Sequence, residues 1–292
     1  KFSAWLKNKY TSREALRLAW LPKTYDETSW CNVGLQNSED PWSVGKPVQI
    51  MDDKEDGSLD RGRFTKGRGK DAKTFLCELE AAYYSQRMNF LKNTVGVKCP
   101  VSGGTAYTSN QIENFYAMTN TDFISTHLYW GGGDVNLKTV GKQFDGRSQL
   151  ETDSLGIITE AASTNIYGMP HTVDEWNHCV PNAYTAEGPI LASAYSRLNN
   201  LNFFAFSFDT KTYLKTQNSG EDISLDSPYS IAENPVSAAV FPVASLMFQR
   251  GDIKESQSGY YESISQSEIG EAFDKDKGIW PGIHFLPSYK NH

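Results

Sequence analysis

Long apolar runs are missing from this chain of 292 residues, and with them any segment able to cross a bilayer as a helix, which takes about 18 apolar residues or more. Cationic excess is missing too. The 28 Lys and Arg stand against 35 Asp and Glu, a formal net charge of −7 that argues against a nucleic-acid footprint. Cysteine is scarce: Cys31, Cys77, Cys99 and Cys179 show neither metal-ligand spacing nor a dense disulfide pattern, and fit free buried thiols or one bridge equally well. No Gly-rich phosphate loop opens a helix, since GGTAY and WGGGD lack the dinucleotide spacing. The chain starts at Lys1, with neither Met nor a signal-like apolar segment, which fits a removed export signal or a piece of a longer protein.

Enough apolar material is present for a sizeable core, with 39% hydrophobic and 22% charged residues. Aromatics reach 13%; such rings fill cores and also serve sugar-binding clefts as stacking platforms. Residues 1 to 20 read as two amphipathic helices, the second capped at Thr11-Ser12 with Glu14 following. From Leu21 to Lys70 the chain is rich in Gly, Pro, Asp and Asn, and only Val48 to Met51 resembles a strand. Residues 71–93 predict a helix, with Phe75, Leu76, Leu79, Tyr83, Met88 and Leu91 near helical spacing.

A strand–helix rhythm follows. Strands are predicted at 95–104, 122–130, 171–177 and 203–209, and helices at 109–120, 150–165, 186–202 and 234–251, the last with Pro242 near its start or kinking it. Such alternation predicts a parallel sheet with helices packed outside, as a closed barrel or an open doubly wound sheet.

Polar and aromatic residues crowd the strand ends: Ser102, then His127, Tyr129 and Trp130, then Glu175, Asn177 and His178, then Asp209. In a barrel that end carries the chemistry. Glu175, in TVDEWNHCVPNAYTAEGP, is the sharpest candidate, because a carboxylate on a buried strand is costly unless paired, hydrogen-bonded or used. A structural salt bridge is the bland alternative. His127 could orient Glu175 or be a satisfied core histidine, and Tyr129 and Trp130 could form a sugar platform or close the barrel mouth. Strict alternation turns Asp174 away from Glu175, toward the helix layer. Glu187, at a helix start, suits the helix dipole.

The segment Phe2 to Trp20, with LEAAYYSQRMNFLKNTVGVKCPVSGG, DFISTHLYW, DEWNHCVPNAYTAEGPILASAYSRLNNLNFFAFSFD and AAVFPVASLMFQRGD, resembles, in order to about Asp252, the clan A retaining glycoside hydrolases. That clan includes β-galactosidases, cellulases and agarases. The resemblance implies a partial TIM (β/α)8 barrel, an α/β fold carrying strands five to eight and their helices. Residues 1–94 would be a long elaborated connection after strand four, 95–252 the carboxy-terminal half of the barrel, and 253–292 a trailing segment or linker. It implies Glu175 as nucleophile, His127 and Tyr129 as sixth-strand residues lining the sugar site, and Tyr129 as a donor keeping Glu175 ionised. Trp130, Trp176, Asn177 and His178 would contact sugar.

The acid/base glutamate of that clan sits in an Asn-Glu pair, and this sequence has no such dipeptide. The partner would lie upstream of Lys1, with the first four strands, since four strands cannot close an eight-stranded barrel. The implied activity is retaining hydrolysis of a β-glycosidic bond in an oligo- or polysaccharide, with no cofactor and no metal, in a secreted or periplasmic protein. The isolated chain would be inactive unless a carboxylate such as Glu160 or Asp209 serves. The alternatives are a non-catalytic carbohydrate-binding or scaffold protein, and a non-sugar enzyme on the same fold.

Overall fold

The first twenty residues fold as their periodicity predicts. α1 (Phe2–Lys9) and α2 (Arg13–Ala19) are separated by a short break, and the Ser12 hydroxyl caps α2 by accepting from the Ala15 backbone N–H at 3.1 Å. The computed structural model describes residues 1–23, 32–50, 52–53, 59–60, 64–104, 112–130, 146–151, 161–162, 164–180, 182–203, 231, 234–259, 263 and 265. The chain forms two units, one from Lys1–Arg87, Ile112–Ala117 and Ser263–Pro281, the other from Met88–Gln111, Met118–Glu262 and Gly282–His292.

In the first unit α1 and α2 pack on the front half of α3 (Lys66–Asn89) through Phe2, Leu6, Leu16, Trp20, Ala72 and Phe75. The helix begins at Lys66, five residues before the predicted start at residue 71. The Gly-rich KGRGK reads as loop, but Gly67 is where α3 meets α2. A Cβ there would strike the Ala19 carbonyl oxygen. Between α2 and α3, Val48 to Ile50 is not a strand; instead β1 (Asp52–Asp53) pairs antiparallel with β2 (Leu59–Asp60).

Two buried ionic groups organise this unit. Arg68 is fully buried and pairs with buried Glu39 through two bonds of 2.7 and 2.8 Å, while the Gly34 and Gln49 carbonyls accept from it at 2.6 and 2.7 Å. Its guanidinium also lies 4.0 Å from the centre of the Phe64 ring. Asp71 accepts from Lys9 Nζ and Tyr10 Oη at 2.7 Å and from Trp20 Nε1 at 2.8 Å. Three donors on one buried carboxylate offset its desolvation and tie both short helices to α3.

The second unit holds a parallel sheet. β3 (Ile124–Trp130), β4 (His171–His178) and β5 (Asn202–Phe203) lie in that order, with α5 (Glu187–Leu198) connecting β4 to β5 and α6 (Pro235–Arg250) packed on α5. α4 (Ile112–Met118) precedes β3. The protein is thus mixed helix and strand, with an open three-stranded parallel sheet among the described residues. Leu128, Trp130, Val173, Trp176, Ala192 and Leu201 form its core.

The predicted strand at 95–104 is not one. α3 runs into a π-helical turn, Phe90–Val95, which ends on left-handed Gly96 (φ 82°), and residues 97–104 pair with no strand. Pro100 removes a backbone donor there, and the segment is held by Lys92, which donates to the Cys99 carbonyl and pairs with Asp122, both at 2.6 Å. The predicted helix at 150–165 and strand at 203–209 lie largely outside the described residues. Pro242 sits inside α6, not at its start, and Asn234 caps that helix by accepting from Val236 and Ser237 N–H at 3.1 Å. No helix among the described residues is long and apolar enough to cross a membrane.

Removing one partner of the buried Arg68–Glu39 pair strands the other charge. Glu39→Ala is expected to cost about 3–5 kcal/mol in urea unfolding. Glu14→Ala, which breaks the exposed pair with Arg17, should leave the urea midpoint unchanged.

Candidate functional site

β3 and β4 stay in simple register from Ile124↔His171 to Thr126↔Val173, and then slip, so that His127 faces Glu175 rather than Asp174. Asp174 is the extra residue of a β-bulge. The slip changes which side chains share a face. Val173 before it and Trp176 after it both enter the core on the helix side of the sheet, with Leu128 and Trp130. Glu175 and Asn177 join His127 and Tyr129 on the opposite face.

There the side chains meet. Tyr129 Oη donates to Glu175 Oε2 at 2.6 Å, and His127 Nδ1 lies 2.9 Å from the same oxygen. The first is a short charge-assisted bond. The second falls within ion-pair distance but outside the angle of an aligned hydrogen bond. His127 Nε2 faces Asp174 Oδ1 at 3.3 Å. The ring therefore stands between two carboxylates, one on each nitrogen. Glu175 keeps 31% of its side chain exposed, while His127 is buried. One oxygen of Glu175 is thus fixed by two neighbours on β3 and the group still reaches solvent. A positioned carboxylate of this kind can act as a nucleophile, a general base or a ligand for a polyol.

Asp174 departs from the alternation argument. It is exposed, but the bulge brings it to His127 rather than to the helix layer. Nothing in the string TVDEWNH marks the bulge, so its contact with His127 has no sequence signal.

The other predicted site residues lie elsewhere. Trp176 is 2% exposed and packs edge-on against Phe203, with ring centroids 6.0 Å apart at 85°. Trp130 is 8% exposed and donates from Nε1 to the Arg147 carbonyl at 2.9 Å. Both rings belong to the core. His178 is buried, with Nδ1 3.3 Å from Gln149 Nε2, and Asn177, paired in register with Tyr129, is also buried. Structure thus brings together Glu175, His127, Tyr129 and, beneath them, Asn177, and separates Trp130, Trp176 and His178 from them.

Glu187 stands at the start of α5 as the dipole argument expects, and it does more. Its carboxylate accepts from the Ser148 hydroxyl at 2.6 Å and from the Gln149 backbone N–H at 3.0 Å, which fixes the segment Gly146–Glu151 beside the end of β4. Sequence gives Ser148 and Gln149 no distinguishing mark. Among the described residues, no group of three or more His, Cys, Asp or Glu is arranged to hold a metal ion. Cys99 and Cys179 are free thiols, and burial pushes the Cys179 thiol up to about 12. Ser102 donates to the nearby Gly104 carbonyl at 3.2 Å; Cys31, Glu160 and Asp209 lie outside the described residues.

No protein family, curated protein or solved structure matches the chain.

His171 opens β4 fully buried, with Nε2 2.9 Å from the Thr126 hydroxyl, and burial alone pulls its pKa down to about 3. In the unfolded chain the ring takes its proton near pH 6.5, so between the two values the unfolded state binds more protons and acid destabilises the fold. Going from pH 7 to pH 5 should cost about 2 kcal/mol through this group. Urea unfolding at both pH values checks it: His171→Gln should show a pH dependence smaller by that amount, and equal slopes in both proteins would refute it.

Proposed function

We propose that this chain belongs to a retaining glycoside hydrolase, with Glu175 as the nucleophile of a β-glycosidic cleavage. The observation that carries the reading is the pair of β3 side chains, Tyr129 and His127, converging on one oxygen of a part-exposed strand carboxylate. That arrangement leaves the second oxygen available for attack on an anomeric carbon, through an oxocarbenium-like transition state to a covalent glycosyl-enzyme. Tyr129 holds the carboxylate in one orientation and follows the charge as it leaves on bond formation. His127, clamped from its far side by Asp174, limits the rotation of Glu175.

The reading includes three further parts. The three-stranded parallel sheet is a portion of a TIM (β/α)8 barrel, strands six to eight, with the Glu175 face turned to the barrel interior. The second carboxylate, which protonates the leaving oxygen and then activates water, comes from the other half of the barrel, in an upstream part of the parent protein. In retaining enzymes the two groups stand about 5–5.5 Å apart. The substrate is an oligo- or polysaccharide met outside the cytoplasm, and the protein is exported to reach it.

A non-catalytic sugar-binding protein is the competing reading. It leans on an exposed aromatic platform, and burial of Trp130 and Trp176 weighs against it.

In the complete enzyme, Glu175→Gln should lower kcat on the order of 10⁴-fold or more while leaving the unfolding midpoint in place. Tyr129→Phe should lose roughly 10- to 100-fold, the scale of one charge-assisted hydrogen bond in a transition state. Hydrolysis of aryl β-glycosides by the three proteins checks both. The 292-residue chain alone should show no turnover; an unchanged rate in Glu175→Gln, or robust activity of the isolated chain, would move the chemistry to another carboxylate.

A further inference from the structure

α6 has no polar face. From Pro235 to Phe248 its sequence, PVSAAVFPVASLMF, holds no charged or amide side chain. Its inner side packs on α5: Ser237 and Ala244 are buried, and Ser193 of α5 donates to the Ala244 carbonyl at 2.8 Å. On its outer side Val236, Ala239, Val243 and Leu246 recur at helical spacing and are exposed, Val236 at 49%, Val243 at 62% and Leu246 at 54%. α5 differs, since from Glu187 to Leu198 none of its residues is exposed.

A surface helix ordinarily turns charged and polar side chains to water, and a helix apolar all round is one that is buried all round. Three kinds of cover are open to α6, and its own residues separate them. A bilayer surface holds amphipathic helices through basic residues on a polar face, and α6 has no Lys or Arg before Arg250. A second copy would have to dock on very little area. The 16 residues of α6 make a face roughly 24 Å long and about 10 Å wide, on the order of 240 Å². Stable complexes of separate chains bury about 800 Å² per partner. A helix on the same polypeptide needs less, because linkage makes its docking intramolecular.

We propose that the outer face of α6 is the seam on which a helix from the upstream part of the parent protein docks, an amphipathic helix presenting an aliphatic stripe. This occupant rests on the barrel reading above; the exposed stripe on α6 does not. In a closed barrel the helices form an outer ring, so each lies between two others. α6 follows the last strand and has α5 on one side, which leaves its other side to the helix that follows the first strand. β5 is likewise the edge of the sheet among the described residues, so the strand layer and the helix layer both end open after their last element.

Val243→Cys tests this by labelling with N-ethylmaleimide, read from the mass of the peptide that holds residue 243. In the folded 292-residue chain the new thiol should react close to its rate in the urea-unfolded chain. In the full-length protein it should react roughly 100-fold more slowly, since a covered thiol reacts only when the interface opens. Leu246→Lys should leave the urea midpoint of the 292-residue chain in place and lower that of the full-length protein. Equal labelling in the two proteins, or a Leu246→Lys midpoint unmoved in both, would overturn the proposal. So would slow labelling in the 292-residue chain itself: relieved by dilution, it would put a second copy on this face, and unrelieved, the chain's own residues. None of these readouts uses turnover, so an active Glu175→Gln would remove the hydrolase reading and leave the docking result standing.

Discussion

One inserted residue governs the catalytic-looking half of this molecule. Asp174 has no register partner on β3, and its insertion shifts the phase of everything after it on β4. Without the bulge, Val173 and Glu175 would share a face, and the core would receive either a carboxylate or a polar gap. With it, Val173 and Trp176 both reach the core, and Glu175 lands beside His127 and Tyr129. The energetics favour this strongly. Burying a large aromatic side chain gains about 2–3 kcal/mol, and an unpaired carboxylate in the same place would cost several. Loss of one ladder position is small against both.

The bulge also sets what the helix layer must accept. Trp176 and His178 now project toward α5, and α5 can approach only because its second residue is Gly188. Glu187, one residue earlier, ties the Gly146–Glu151 segment to the helix start, and that segment in turn carries the carbonyl that receives the Trp130 indole. Carboxylate, indole and glycine are thus linked by packing: the side of the sheet with the polar cluster is defined by how well the other side is filled.

Much of the local structure was legible in the residues. Apolar residues recurring on one helical face give α1, α2, α5 and α6 nearly to their ends, and the apolar runs 122–130 and 171–177 are the two long strands. The Tyr129, His127 and Glu175 group was legible because three polar residues at parallel strand ends need partners, and each other's side chains are the nearest. What escaped was whatever depends on close approach or on phase. KGRGK looks like a loop until Gly67 is seen against Ala19, and residues 95–104 look like a strand although left-handed Gly96 and Pro100 keep them from pairing. Trp130 and Trp176 next to polar residues resemble a sugar platform; alternation with Leu128 turns Trp130 into the core, and the bulge, which no periodicity announces, does the same for Trp176. Asp174 was misplaced for the same reason.

The central proposal, that Glu175 is the nucleophile of a covalent step, is tested most directly by trapping. The full-length protein would be treated with a panel of 2-deoxy-2-fluoro-β-glycosyl fluorides, which trap a retaining glycosidase as its glycosyl-enzyme, and then digested for mass spectrometry. The account predicts that the peptide containing Glu175 alone gains the mass of one fluoroglycosyl group, on the Glu175 side chain. A label on another carboxylate, Glu160 or Asp209 among them, would contradict it.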